Sequence, residues 1–190
     1  MADSRSVAEA MADTPRSRHL PPAQVPYAHL DVPLPLFRGT TNSQPSTVRQ
    51  MLEELEVPPG ARVLDVGAGS GWTTAILASL VGSEGSVLGL ELDVGLARWG
   101  AGRLAHWGRH WARLEPADPD ELGRAAEGPY DRILVSAMAE ELPESLVAQL
   151  AEEGRLVCPV AGQLWTVQRR GRDVEIRRSG AYAFVPLVVP

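Results

Sequence analysis

The chain has no lysine; all 18 of its basic residues are arginine, a bias that we attribute to genome composition more than to chemistry. It has a single cysteine, Cys158, which excludes an internal disulfide framework and points to a reducing compartment. That thiol sits in an apolar run and reads as inert and buried. No apolar stretch is long enough to span a bilayer, and the polar N-terminus has no apolar signal-peptide core. We therefore expect a cytoplasmic protein that does not engage a membrane. A net charge of −6 argues against a general nucleic-acid binder, which carries a basic surface. What remains is ordinary for a globular protein: 190 residues, 44% hydrophobic and 22% charged. One domain with a sizeable core fits that length.

The most informative stretch runs from Ala61 to Glu91. Val63 to Val66 is a short apolar, β-branched run of the kind buried in parallel sheets. Gly67, Gly69 and Gly71 break it, and Thr73 to Leu80 continues as a helix with Ala75, Ile76 and Leu80 available to one face. A second strand, Ser86 to Leu90, ends on Glu91, an acid able to accept hydrogen bonds from both hydroxyls of a ribose. Strand, glycine turn and helix open a nucleotide-binding βαβ unit. Glycine spacing decides which nucleotide. A dinucleotide site needs Gly-x-Gly-x-x-Gly to seat a pyrophosphate on the helix N-terminus, but Trp72 stands where its last glycine would fall. Asp65, just before the turn, would repel a phosphate and suits a ligand with an amino group and a positive charge. Together these residues indicate S-adenosylmethionine, not NAD.

Elsewhere, Val7, Ala10 and Met11 fall at helical spacing and predict a short N-terminal helix. Six prolines between Leu20 and Pro45 predict an extended surface arm without secondary structure of its own, suited to covering a ligand. Thr47 and Gln50 form a candidate capping box for a helix whose Val48, Met51, Leu52 and Leu55 make one apolar face. Asp93 is the expected N-cap of a helix reaching Trp107. Trp111–Leu114 is a poor candidate for the third strand, and the acidic Pro116–Glu121 reads as a turn. Arg132–Ser136 is a strand, Leu142–Leu150 a helix, and Arg155–Cys158 a strand that Pro159 stops. Gln163–Arg169 and Asp173–Arg178 pair as an arginine-rich, solvated hairpin about Gly171. Ala183–Pro190 is a last strand interrupted by Pro186. This alternation means an α/β fold: a Rossmann-like, mostly parallel seven-stranded sheet with an antiparallel edge and helices on both faces. Ligands of such sheets lie at the carboxyl ends of the strands, where the glycine turn, Glu91, the turn near Asp118 and the loop after Val135 converge.

Several stretches carry a resemblance: Val7-Ala-Glu-Ala-Met11, Asp31-Val-Pro-Leu-Pro35, Thr41-Asn-Ser-Gln-Pro45, Val63-Leu-Asp-Val-Gly-Ala-Gly-Ser-Gly71 and Phe184-Val-Pro-Leu187. From about Val7 to Leu187 the chain resembles the protein-L-isoaspartate (D-aspartate) O-methyltransferases, whose signature loop reads Thr-Ile-Ser-Gln/Ala-Pro. The resemblance implies a class I methyltransferase, with residues 1–45 as helix and covering arm and 46–190 as cofactor-binding core. It implies methyl transfer from S-adenosylmethionine to the carboxylate of L-isoaspartyl and D-aspartyl residues in damaged proteins, by a monomer. Carried over by position, it places Ser43 in the active site and Thr41, Ala137 and Met138 by the substrate. Thr40, Asp65, Gly67, Ala68, Gly69, Glu91, Leu92 and Asp118 fall around the cofactor, and no metal is implied.

There are departures. Asn42 replaces an apolar residue within the signature. Ala117-Asp-Pro-Asp120 stands where the family has Gly-Asp-Gly, so that either Asp118 or Asp120 meets the adenine amino group. Ala137-Met-Ala-Glu140 replaces Ala-Ala-Ala-Pro and sets Glu140 near an anionic substrate, where a carboxylate is unfavourable. Two other readings thus stay open: a carboxyl methyltransferase for a specific peptide or small acid, and a silent S-adenosylmethionine-binding module. Repair methylation itself asks little of the protein. An isoaspartyl carboxylate, with a pKa near ~4, is already ionised at neutral pH, so neither a general base nor a metal is required and Ser43 need only hold the carboxylate. His106 and His110 are four apart, but with Gly108 between them and no acidic ligand alongside they do not read as a metal pair. Trp99, Trp107 and Trp111 read as core and rim.

Overall fold

The computed structural model describes residues 5–189. Ser6 starts the first helix, α1 (Val7–Ala12), through a reciprocal capping box with Glu9. The arm that follows has structure of its own, contrary to expectation. Arg16–His19 and Pro22–Tyr27 wind into 3-10 turns, and β1 (Leu34–Pro35) pairs antiparallel with β2 (Thr41–Asn42). Proline at the first positions of a turn of helix sacrifices no hydrogen bond, so the prolines shape the arm rather than strip it.

Helix α2 (Pro45–Leu55) begins on Pro45, with Gln44 as N-cap and no side-chain cap. The expected Thr47–Gln50 capping box does not form, because Pro45 has its φ preset for the first helical position and places Thr47 inside the first turn. An acceptor arrives instead from the arm: Asp31 Oδ1 accepts from Ser46 N at 2.8 Å. Val48, Met51, Leu52 and Leu55 are buried, as their spacing predicts. Next come β3 (Arg62–Val66), α3 (Trp72–Val81), β4 (Ser86–Glu91), α4 (Val94–Ala105), β5 (Ala112–Pro116) and β6 (Tyr130–Val135). The chain continues through α5 (Glu144–Val147), β7 (Leu150–Val160), β8 (Gln163–Arg170) and β9 (Asp173–Ser179).

Seven strands form one sheet in the order β5-β4-β3-β6-β7-β8-β9. The first five strands in that order run parallel, and β8 and β9 close the edge antiparallel, as the hairpin pattern predicts. The chain builds outward from β3 through β4 and β5, then returns to β3's other side with β6. The switch point therefore lies between β3 and β6, at their carboxyl ends. Alternation along the strands feeds two cores. Val63, Val87, Leu134 and Val157 pack with α1, α2 and α3. Leu64, Leu88, Ile133 and Leu156 pack on the opposite face with Leu146 and Val147 of α5. Asp93 caps α4 as expected, its Oδ1 accepting from Leu96 N.

Four further expectations need correction. Ala112–Pro116 is a full strand, because a five-residue parallel register from Val87–Ala112 to Glu91–Pro116 overrides its weak propensity. The helix expected over Leu142–Leu150 shrinks to α5, since Leu150 already belongs to β7. Pro159 does not stop β7. A proline loses only its donor, and the Pro159 carbonyl still accepts from Ala139 N at 2.9 Å. The tail makes a single bridge rather than a strand, with Met138 N donating to Val185 O and Leu187 N to Met138 O, each 2.7 Å; its last residue lies outside the described ones. No helix among the described residues is long and apolar enough to cross a membrane.

Helix α4 lies against the glycine turn. A Cβ on Gly100 would sit 2.6 Å from the Gly69 carbonyl oxygen and 3.0 Å from Leu114, whereas one on Gly102 would meet nothing within 4 Å. Gly100→Ala should therefore cost about 1–3 kcal/mol through overpacking. Gly102→Ala, in the same helix, should gain about 0.5–1 kcal/mol from propensity. Urea unfolding of the two variants checks this; equal stabilities would show that α4 is not seated on the turn.

Candidate functional site

A cavity of about 450 Å³ opens at the carboxyl ends of β3, β4 and β6, within the roughly 300–1,000 Å³ of small-molecule sites. Its floor is the glycine turn. Gly67, Gly69 and Gly71 have φ of 76°, 53° and 74°, the left-handed region that side chains resist. The Gly-x-Gly-x-Gly spacing is thus a backbone requirement: alternate residues must take that conformation to turn β3 into α3. On one side stand Glu91, Leu92 and Asp93; on the others lie Asp118, the pair Ser136–Ala137, the arm from Arg38 to Ser43, and the tail from Val185 to Val188.

Of the residues expected from sequence, this surface carries Thr40, Thr41, Ser43, Gly67, Ala68, Gly69, Glu91, Leu92, Asp118 and Ala137. Asp65 and Met138 are not on it. Met138 is engaged with the tail through its backbone, and its sulfur accepts from Gly162 N at 3.3 Å. Asp120 is off the wall too, donating its N–H to Asp118 Oδ1 at 2.9 Å. Glu140 is exposed and outside the cavity, so it does not oppose an anion there. Arg38 is the cationic side chain among the lining residues, and it is paired with Asp93 at 3.0 Å.

Glu91 is held by two backbone amides: Gly69 N donates to Oε2 and Asp93 N to Oε1, both at 3.0 Å. An ionised carboxylate has about four lone-pair sites, so two remain for a ligand. Asp65 is fully buried behind the turn. The hydroxyls of Thr73 and Thr74 both donate to its Oδ2 at 2.7 Å, while Oδ1 has no partner among the described residues. Burial pushes its carboxyl up to about 6; the threonine bonds oppose that, and the nearby Glu91 charge adds to it. Its Oδ1 does not open onto the cavity, so Asp65 acts on a ligand there through its charge rather than by contact.

The arm contributes a network that sequence reasoning missed. Arg16 is buried, and its Nε donates to Asn42 Oδ1 at 2.6 Å. Its terminal nitrogens donate to the carbonyls of Leu30, Val32, Asn42 and Ser43 at 2.8–3.0 Å. Burial lowers its pKa to about 10. His19 is also buried, with Nδ1 2.9 Å from Ser70 O and Nε2 accepting from Trp107 Nε1 at 3.0 Å. Those partners assign the proton to Nδ1, and burial pulls the imidazole down to about 4. Neither residue had a sequence signal beyond a basic group in a loop. The tail's place on the wall was likewise hidden, although Phe184-Val-Pro-Leu187 was visible as a landmark.

Strand order, a glycine turn at the switch point and an acid at the neighbouring strand tip together define the class I methyltransferase fold. Within that class, the chain belongs to the protein-L-isoaspartate (D-aspartate) O-methyltransferase family, whose model matches residues 1–189. It is 40% identical over 191 residues to a protein-L-isoaspartate O-methyltransferase of Methanopyrus kandleri, covering 97% of this chain and 84% of that one. To the enzyme of the same name from Pyrobaculum neutrophilum it is 39% identical over 189 residues, with 97% and 91% covered. A crystal structure of a Plasmodium falciparum protein described under the same name, in complex with S-adenosyl-L-homocysteine, superposes with a TM-score of 0.83. Its identity to this chain is 25%, and the match covers 98% of this chain and 91% of that one.

The two buried titratable groups have opposite pH signatures. Asp65 has its folded pKa raised, so between about pH 4 and 6 the folded state binds more protons and stability falls as pH rises. His19 has its folded pKa lowered, so between about pH 4 and 6.5 the unfolded chain binds more protons and stability rises with pH. Each shift corresponds to about 3 kcal/mol, and in the native protein the two largely cancel. Relative to it, Asp65→Asn should gain about 3 kcal/mol of stability on going from pH 4 to 7, and His19→Gln should lose a similar amount. Denaturant titrations across that range read both signs; parallel curves for all three proteins would reject the assignment.

Proposed function

We infer that this chain methylates the free carboxylate of L-isoaspartyl and D-aspartyl residues in damaged proteins, with S-adenosylmethionine as methyl donor. One observation carries the reading: the loop bearing Ser43 and the glycine turn open onto the same cavity, in a chain that belongs to this family along nearly its whole length. The donor supplies a methyl group already activated by an adjacent sulfonium. The residues present fit such a ligand. Glu91 keeps acceptor sites for ribose hydroxyls, and the side-chain-free faces of Gly67 and Gly69 admit close approach. The carboxylate of Asp65, buried beneath the turn and held by Thr73 and Thr74, supplies negative potential for an ammonium and a sulfonium. Asp118, which lines the cavity where Asp120 does not, is the acceptor for an adenine amino group.

For the substrate, the chain's task is placement. An isoaspartyl carboxylate is ionised at neutral pH, so no residue must remove a proton. Alignment of reacting atoms is worth up to about 7–11 kcal/mol in favourable cases. Arg38 is already paired with Asp93, so hydroxyls and backbone amides remain for the carboxylate: Ser43 as principal donor, Thr41 and Ala137 beside it. The reading includes a monomer acting in the cytoplasm, with residues 1–45 as covering arm and 46–190 as core. The lone, buried Cys158 and a net charge of −6 support that setting.

Labelled methyl transfer to an isoaspartyl peptide, beside its ordinary aspartyl counterpart, tests the reading directly: label should enter only the first. Transfer to neither peptide by a protein that binds S-adenosylhomocysteine would leave a silent binding module instead. Ser43→Ala should lower kcat/KM about ten- to a few hundred-fold, the loss of one hydrogen bond to a charged group. Calorimetric affinity for S-adenosylhomocysteine should stay nearly unchanged in that variant. Full activity of Ser43→Ala would move the substrate contact elsewhere, and a modified Ser43 trapped by mass spectrometry would replace positioning by covalent catalysis.

A further inference from the structure

The geometry points to Asn42 as a positioning residue that fastens the Ser43 loop to the glycine turn. Its side chain is 4% exposed and bonded at both ends. Nδ2 donates to Ser70 Oγ at 2.9 Å, and Oδ1 accepts from Arg16 Nε at 2.6 Å. Ser70 lies within the turn, between Gly69 and Gly71, and its carbonyl is fixed from the other side by His19. Arg16 in turn grips the carbonyls of Asn42 and Ser43 themselves, each at 2.9 Å. The amide therefore closes a ring of contacts: turn to Asn42, Asn42 to Arg16, Arg16 back to the Ser43 backbone. No carboxylate takes part in it.

An apolar side chain at this position would pack, but it would leave Ser70 Oγ and Arg16 Nε without those partners in a water-poor interior, where unpaired polar groups are costly. In this chain the height of the Ser43 hydroxyl above the turn is thus set by hydrogen bonds of fixed length rather than by apolar contact alone. Hydrogen bonds hold a register, and reacting groups misplaced by about 1 Å can lose up to ~100-fold in rate. The consequence for rate rests on the proposed methyl transfer; the fastening itself does not.

The test uses the full chain with Asn42→Leu, Asn42→Asp, Ser70→Ala and the Asn42→Leu/Ser70→Ala pair. Three readouts apply: amide exchange across 41–44, kcat on an isoaspartyl peptide, and KM for S-adenosylmethionine. Asn42→Leu should speed exchange in that segment and cut kcat about three- to thirtyfold, with KM for the methyl donor nearly unchanged. Asn42→Asp can accept from both Arg16 Nε and the Ser70 hydroxyl, and should recover most of both losses. The double variant should be no worse than Asn42→Leu alone, because both changes cut the same link. Native exchange and kcat in Asn42→Leu, or multiplicative losses in the pair, would overturn the assignment. If Asn42→Leu does not fold, Ser70→Ala, which removes one hydroxyl, decides by the same exchange and kcat measurements. Failure of the native protein to methylate the peptide would sink the functional reading alone, since the exchange comparison still judges Asn42.

Discussion

The tip of β4, helix α4 and the arm are all fastened to a chain reversal that only glycine can make. At Gly67, Gly69 and Gly71 the backbone sits at positive φ, which puts the amide and carbonyl groups of the turn where neighbours can use them. The Gly69 amide holds Glu91, and the Gly69 carbonyl lies against the bare face of Gly100. The Ser70 hydroxyl takes Asn42, and the Ser70 carbonyl takes His19. Strand tip, crossover helix and arm are thereby located relative to one another by contacts with a few residues. A side chain at any of the three positive-φ positions would strain the turn and, through it, every one of those attachments.

The arm solves a problem its sequence creates. A proline-rich segment has few donors and little apolar periodicity, so beyond the two-residue pairing of β1 with β2 its backbone makes little regular structure. Its carbonyls, however, remain acceptors, and the buried guanidinium of Arg16 gathers four of them together with the Asn42 side chain. Burying a charge without a direct carboxylate partner is costly, and the lowered pKa of Arg16 records that cost. Several charge-assisted bonds offset it, and what results is a defined path for a segment that would otherwise have many.

The cavity wall carries more acid than base: Glu91, Asp93, Asp118 and Glu121 line it, and Arg38 is paired with Asp93. An already ionised nucleophile meeting an already activated methyl group needs neither proton transfer nor a metal. Placement is then the wall's task, and the network of Arg16, His19, Asn42 and Ser70 helps to hold that wall in shape.

By itself the sequence determined the parts whose signal is local. The glycine spacing, the strand before it and the acid at Glu91 follow from backbone conformation and lone-pair chemistry within about thirty residues of chain. The apolar stripe of α2 and the Asp93 cap follow from periodicity and capping in the same way. Only tertiary structure decided the rest. Ala112–Pro116 is a strand because β4 offers it a register, and Pro159 lies in a strand because its surviving carbonyl has Ala139 to bond. Asp118 rather than Asp120 faces the cavity, and Asp65 lies behind it, for reasons of side-chain direction that residue order does not carry. Arg16, His19, Asn42 and Ser70 meet across separations of 26 to 51 residues. A buried polar contact between distant segments leaves no periodicity, because its strength depends on the exclusion of water, and water is excluded only once the sheet, helices and arm have closed around it.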